Sequence, residues 1–285
     1  PPSASTIQRL VIQRGLRRVT ILGIVVLVLL ILVIGGLVTG VFTGDDGDGQ
    51  LSPAEVVEEA RPRTVLVVTN KGFGAGGRGS GWVWDASEGL IVTNAHVVGG
   101  GESYSVSTGD KLTIAVGEEV EIEGEDARDA ELKGAAFCED IAVLEVRDKT
   151  GLETMPRVPK QEELKKGQDV VAVGYPSTLN LTQGQQQQDA DLTANTGVIS
   201  TVQTTFQAIP GEGPDDPTVG PYRNVILTDT VINQGNSGGP LVDREARLVG
   251  MNSAVRTDVQ GQNYAVGVDR INEIVPKLIE GDDPC

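Results

Sequence analysis

The run Asn233-Gln234-Gly235-Asn236-Ser237-Gly238-Gly239-Pro240-Leu241 constrains this chain more than any other stretch. Glycines at 235, 238 and 239 reach backbone conformations closed to other residues, so the run reads as a tight turn that presents one hydroxyl and then enters a strand. Such a turn can aim the amide N–H groups of Gly235 and Ser237 at one point beside the serine oxygen, which is the arrangement of an oxyanion hole. A serine is a weak nucleophile at its ordinary pKa and needs a histidine base within hydrogen-bond reach, oriented in turn by a carboxylate. The chain has one histidine, His96, in Ile91-Val92-Thr93-Asn94-Ala95-His96-Val97-Val98, and a suitable acid, Asp140, in Cys138-Glu139-Asp140-Ile141-Ala142-Val143-Leu144. His96, Asp140 and Ser237 are therefore the candidate catalytic residues, in the chain order His, Asp, Ser.

Aromatics are few (4%) while glycine is abundant (37 residues), and Val, Ile and Leu recur in short runs, which fits many short strands joined by turns. A first set of strands is read at Thr64–Thr69, Gly81–Asp85, Leu90–Thr93, Tyr104–Val106, Leu112–Val116, Val120–Glu123, Ala130–Lys133 and Ile141–Val146. His96 then falls at the end of one strand and Asp140 at the start of another. The stretch 150–168 has no strong period and reads as a connection. A second set follows at Asp169–Gly174, Asp191–Gln203, Val225–Thr228, Pro240–Val242, Arg247–Ala254 and Asn263–Val268, closed by a helix over Asp269–Ile279. Asn180–Asp189 and Ala208–Tyr222 read as loops. Gly72 to Gly81 opens a strand and not a helix, so it is no phosphate cradle.

The segments "TNAHVV", "DIAVLEV", "GYP", "TGVIS" and "INQGNSGGPLV", in that order, resemble the trypsin-like serine proteases of HtrA/Deg type from about Ser52 to Ile279. The resemblance implies an all-β fold of two six-stranded antiparallel β-barrels with a C-terminal helix, barrel 1 over about 62–149 and barrel 2 over about 168–268. It implies an endopeptidase acting on unfolded or exposed protein segments, with no cofactor and no metal, and a homo-oligomer, by resemblance a trimer. It places the pocket for the side chain before the scissile bond beside Val231 and Ile232 and against Asn252, Ser253, Ala254 and Val255. All are uncharged, so small to medium apolar side chains are expected. Asp229 is the one nearby acid that could argue otherwise. The resemblance further implies that the turn from Gln234 to Ser237 exchanges between competent and incompetent forms, with the two loops as candidate gates. The chain departs from better-known members in carrying Cys138 beside the acid and in ending at Cys285 with no peptide-binding PDZ domain read after the closing helix. The rival readings are a catalytically silent binding or chaperone-like module of the cell envelope, and an esterase on the same three residues.

Charge and hydropathy divide the chain. Residues 1–44 hold four arginines and no acid, leaving 19 basic against 40 acidic residues in the remainder, a net of −21. Phosphate backbones need a basic face, so nucleic-acid binding by the folded part is excluded. After the basic tail 1–18, Val19 to Phe42 is an uncharged run of about 24 residues, long enough for a transmembrane helix. Arginines precede it and acids follow in the linker 43–51, which puts the N-terminus in the cytoplasm and residues 52–285, the protease-like domain, outside. Ser52-Pro53-Ala54-Glu55 carries the signature of a helix start. Two cysteines, Cys138 and Cys285, are no disulfide framework, and whether they pair is open at this point.

Overall fold

The computed structural model describes residues 49–70, 77–99, 111–117, 119–121, 127–176, 189–206, 222–253 and 263–285. The apolar span expected at 19–42, the strand read at Tyr104–Val106 and nearly all of both loops lie outside them. Among the described residues no helix is long and apolar enough to cross a membrane.

Helix α1 (Pro53–Ala60) starts as its sequence dictates. The Glu55 N–H donates to the Ser52 hydroxyl (3.3 Å), the Glu55 carboxylate accepts the Ser52 N–H (2.8 Å), and Pro53 occupies the first turn, where no N–H is needed. Strands β1 (Thr64–Asn70), β2 (Gly77–Asp85), β3 (Leu90–Thr93), β4 (Lys111–Ala115), β6 (Arg128–Ala136) and β7 (Ile141–Val146) close into an antiparallel barrel in the order β1-β2-β3-β7-β6-β4. Side chains alternate across each strand. Val65, Val67, Val83, Ile91, Ile114, Ala142 and Leu144 fill the barrel, whereas Trp82, Val92, Ile141 and Val143 point the other way and join a second buried cluster.

That second cluster is the core of the other barrel and its surroundings. Strands β8 (Asp169–Gly174), β10 (Thr193–Phe206), β11 (Tyr222–Thr228), β12 (Pro240–Val242), β13 (Leu248–Ser253) and β14 (Asn263–Gly267) close as β10-β11-β14-β13-β12-β8. The stretch read as a connection is tied to both barrels. The Met155 N–H donates to the Val83 carbonyl, the Val158 N–H to the Leu248 carbonyl at 3.0 Å and the Leu248 N–H to the Pro156 carbonyl at 2.7 Å, and the Arg157 guanidinium lies 3.9 Å from the centre of the Trp84 ring.

One strand differs from its expected place. β5 (Glu119–Glu121) is not a barrel strand but pairs antiparallel with β9 (Asp189–Asp191) in a separate two-stranded ribbon. Val120 and Ala190 are buried there against Leu66, Ala115 and Tyr175, a local apolar cluster that holds three-residue strands with no sequence period of their own. The 191–203 reading accordingly divides into β9 and the longer, bulged β10.

The closing helix, α3 (Val268–Glu280), buries Val268, Ile271, Ile274, Val275 and Leu278 on one stripe and ends at Gly281, whose φ of 86° gives the left-handed C-terminal turn. Its buried stripe joins the core cluster of the second barrel, and the helix also reaches the first: a side chain at Gly134 of β6 would stand 2.9 Å from the Leu278 carbonyl oxygen. Two further ties run from this end of the chain to the turn Phe137–Glu139 that precedes Asp140. Arg270 Nε donates to Glu139 at 2.8 Å, with both side chains only 14% exposed. Cys138 and Cys285 form a disulfide across 147 residues, with Cα atoms 5.8 Å apart. The pairing left open by the sequence is thus made. A disulfide typically contributes about 2–4 kcal/mol, and a loop this long lies toward or above the upper end of that range.

Candidate active site

The functional side chains sit where the two barrels meet. His96 is carried by α2 (Ala95–Gly99), a single turn directly after β3, so it starts a helix and does not end the strand. Asp140 stands between the turn Phe137–Glu139 and β7, with φ of 53°, a left-handed backbone that turns its carboxylate back over α2. Both carboxylate oxygens lie 2.9 Å from His96 Nδ1, and Oδ1 also accepts the His96 backbone N–H at 3.0 Å. The Ser253 hydroxyl donates to Oδ2 at 3.2 Å, and Asn94 Nδ2 donates to the Asp140 carbonyl at 2.9 Å. The acid is 5% exposed and satisfied on every side. Ser253, which the resemblance gave to the substrate pocket, is thus a partner of the acid. A serine in "MNSAV" carries no sequence signal for that contact.

Two opposing effects act on His96. Burial disfavours the imidazolium, while the charge and hydrogen bond of Asp140 favour it and win, raising the pKa above its usual value. The direction agrees with an imidazole that keeps a third of its surface exposed beside a nearly buried carboxylate.

The serine turn is packed against the first barrel. The Ser237 carbonyl accepts the Ser80 N–H of β2 at 2.8 Å, and the Gly235 carbonyl accepts the Ser80 hydroxyl at 2.7 Å. Within the second barrel the Asn236 N–H bonds to Asn233, and the Gly238 N–H and Gly239 carbonyl bond to Asn252 of β13. Asn252, also assigned to the pocket by resemblance, is fully buried and donates its side-chain amide to Pro240 at 3.1 Å, holding the turn from behind. Gly235 and Gly238 have φ of 99° and 83°, as the turn reading required. A side chain at Gly238 would stand 2.2 Å from the Ser80 carbonyl oxygen and 2.3 Å from Thr93 Oγ1, three residues from His96 in sequence. Ser237 itself is 5% exposed. Of the remaining pocket residues, Val231 is half exposed and Ile232 is 9% exposed, while Ala254 and Val255 lie outside the described residues. Asp229 accepts the Val198 N–H at 2.7 Å, so its carboxylate is engaged by β10. Among the described residues no group of three or more His, Cys, Asp or Glu side chains is placed to hold a metal ion.

Two closed six-stranded antiparallel barrels, with a His–Asp pair on the first and a glycine-flanked serine turn on the second, define a chymotrypsin-like fold. The sequence pattern of the trypsin-like peptidase domain matches residues 79–251. The chain is 34% identical over 207 residues to the chloroplastic protease Do-like 1 of Arabidopsis thaliana and 31% identical over 207 residues to the serine protease Do-like HtrA of Bacillus subtilis. Each match takes in 71% of this chain and 39% of the relative, so the chain spans about two fifths of the length of these relatives. The crystal structure of a serine endoprotease from Yersinia pestis matches with a TM-score of 0.57 at 26% identity, covering 80% of this chain and 67% of that one. The chain belongs to the trypsin-like peptidase family and is of its HtrA/Deg type.

Proposed function

We propose that this chain is a serine endopeptidase in which Ser237 attacks the peptide carbonyl, His96 takes its proton and returns it to the leaving amine, and Asp140 fixes the imidazole tautomer. The observation that carries this reading is the His96 Nδ1–Asp140 pair at 2.9 Å, set beside a serine turn locked to the same barrel edge. With Nδ1 donating to the carboxylate, Nε2 is the acceptor available to the serine hydroxyl. The N–H groups of Gly235 and Ser237 hold the oxyanion, each contributing on the order of 3–4 kcal/mol. Unfolded protein is the expected substrate. Incubation with unfolded casein should give fragments that the Ser237→Ala form does not, and equal cleavage by both would sink the reading.

Specificity follows from what lines the approach. The exposed Val231 and the neighbouring Ile232 reward apolar burial at roughly 0.8 kcal/mol per methylene, and the Asp229 carboxylate is engaged by the Val198 N–H and not turned to a cationic side chain. Peptides with Val, Ala or Leu before the cut should outrun those with Lys or Arg. A substrate-library profile led by Arg would mean that Asp229 leaves Val198 for the pocket.

The raised His96 pKa has two linked consequences. A general base works as neutral imidazole, so kcat/KM should fall on the acid side with a midpoint above the usual histidine value of about 6.5. The charged pair also stabilises the fold, fully below about pH 6.5 and less as pH rises through the higher folded value. Activity should therefore rise across the window in which this part of stability is lost. An acid limb centred well below pH 6.5 would contradict it.

The folded domain is placed outside the cytoplasmic membrane, anchored by residues 19–42. Four arginines before the apolar run and acids after it support that orientation, and a disulfide belongs to an oxidising compartment. Protease added to intact cells should digest the domain; digestion only after permeabilisation would reverse the topology.

A further inference from the structure

Ser80 has no part in the chemistry just proposed, yet it makes more contacts with the serine turn than its own strand requires. It is fully buried in β2, in the first barrel, whereas the turn belongs to the second. Its backbone N–H donates to the Ser237 carbonyl at 2.8 Å and its hydroxyl donates to the Gly235 carbonyl at 2.7 Å. One residue thereby grips both ends of the segment that carries the two oxyanion donors. The hydroxyl is itself oriented, because it accepts the Tyr175 N–H at 2.8 Å, which leaves its proton to point at Gly235. Its own carbonyl accepts the Thr93 hydroxyl at 2.6 Å, so the strand under it is fixed from the side that leads to His96.

We propose that Ser80 is a positioning residue for the oxyanion turn, acting through the peptide plane between Gly235 and Asn236. That plane is held at both edges, its carbonyl by the Ser80 hydroxyl and its N–H by the Asn233 carbonyl at 3.0 Å. Gly235, at φ of 99°, lacks the side chain that would otherwise restrict it, so its neighbouring planes turn easily unless something outside the turn holds them. With the 235–236 plane pinned, the Gly235 Cα is fixed, and the Gly235 N–H can turn only through that residue's own φ and ψ. Without the Ser80 hydroxyl the plane keeps one bond of two, and the Gly235 carbonyl becomes an unsatisfied buried acceptor that gains by turning elsewhere. The device also couples the barrels, since Ser80 rides on the strand beside β3 and α2 while the turn rides on β12 and β13.

This inference rests on the endopeptidase reading for its kinetic arm and on the turn alone for its structural arm. The test compares the full chain with its Ser80→Ala and Ser80→Thr forms, the first deleting one oxygen and the second keeping a donor hydroxyl. In Ser80→Ala, kcat should fall about 10- to 100-fold with KM within about threefold, since removing an oxyanion donor outright costs about 10²- to 10³-fold and loosening one costs less. Ser80→Thr should recover most of that loss, and the acid limb of the pH profile should stay where it is in all three proteins. Independently of turnover, the Asn236 amide should exchange its hydrogen at least tenfold faster in Ser80→Ala than in the parent chain. A parent chain that neither cuts casein nor reacts at Ser237 would sink the endopeptidase reading, while the exchange rates would still decide the role of Ser80. Unchanged kcat and unchanged Asn236 exchange in a folded Ser80→Ala protein, or loss of its native fold, would overturn the proposal and leave Ser80 as an ordinary structural tie.

Discussion

Asp140→Asn is expected to lower kcat about 10⁴-fold in a protein that still folds. The carboxylate accepts two hydrogens from His96, at the backbone N–H and at Nδ1, and a third from Ser253. An asparagine amide has one oxygen for these donors. With that oxygen on the His96 N–H, its NH₂ group faces Nδ1 and the Ser253 hydroxyl, and the hydroxyl can turn to accept. Nδ1 then becomes an acceptor and the imidazole proton moves to Nε2, the tautomer that cannot take a proton from Ser237. The imidazolium formed during reaction also loses its counter-charge, so the His96 pKa should drop and the acid limb with it. Steady-state kinetics and thermal melts of the two proteins check this. A loss under tenfold at neutral pH would mean that Asp140 does not control the base.

Gly238→Ala should also be damaging, by a different route. A Cβ at residue 238 would lie 2.2 Å from the Ser80 carbonyl oxygen and 2.3 Å from Thr93 Oγ1, both held by their own hydrogen bonds, and 3.0 Å from the Asn94 nitrogen. The φ of 83° adds a left-handed backbone at a cost of about 1–2 kcal/mol, and overpacking adds about 1–3 kcal/mol. Relief requires the turn to move off β2 and β3, which carries Ser237 away from His96. Displacement of a nucleophile by about 1 Å costs on the order of 10²-fold in rate, so loss of about 2–5 kcal/mol of stability should come with at least that loss of activity. Gly151→Ala is the control, because a side chain there meets nothing within 4 Å although φ is 71°. If Gly238→Ala retains parent activity, the serine turn is not held where these distances place it.

The parts of the fold that the sequence displays are those with a repeating physical cause. Strands such as Leu90–Thr93 and Ile141–Val146 show because nearly every residue is buried and, Thr93 and the exposed Glu145 aside, apolar, and α1 shows because its cap is local. The glycine turn shows because positive φ at Gly235 and Gly238 requires glycine. What was not legible depends on residues far apart in sequence. The β5–β9 ribbon joins residues about 70 apart with three residues a side, too short for any period. The Cys138–Cys285 bridge and the Arg270–Glu139 pair are set by the docking of α3 on the first barrel, which no local pattern in 268–280 announces. The resemblance places the strand of Asn252 and Ser253 beside the pocket, while the hydrogen bonds of these two side chains depend on which way each turns along β13.

The central claim is that His96, held by Asp140, activates Ser237. A fluorophosphonate probe tests it most directly, with the modified residue located by mass spectrometry in the parent chain and in His96→Ala. The account predicts labelling at Ser237 in the parent and its loss in the variant, because the serine has no base without that imidazole. Labelling at another residue, or labelling of Ser237 that survives in His96→Ala, would contradict it.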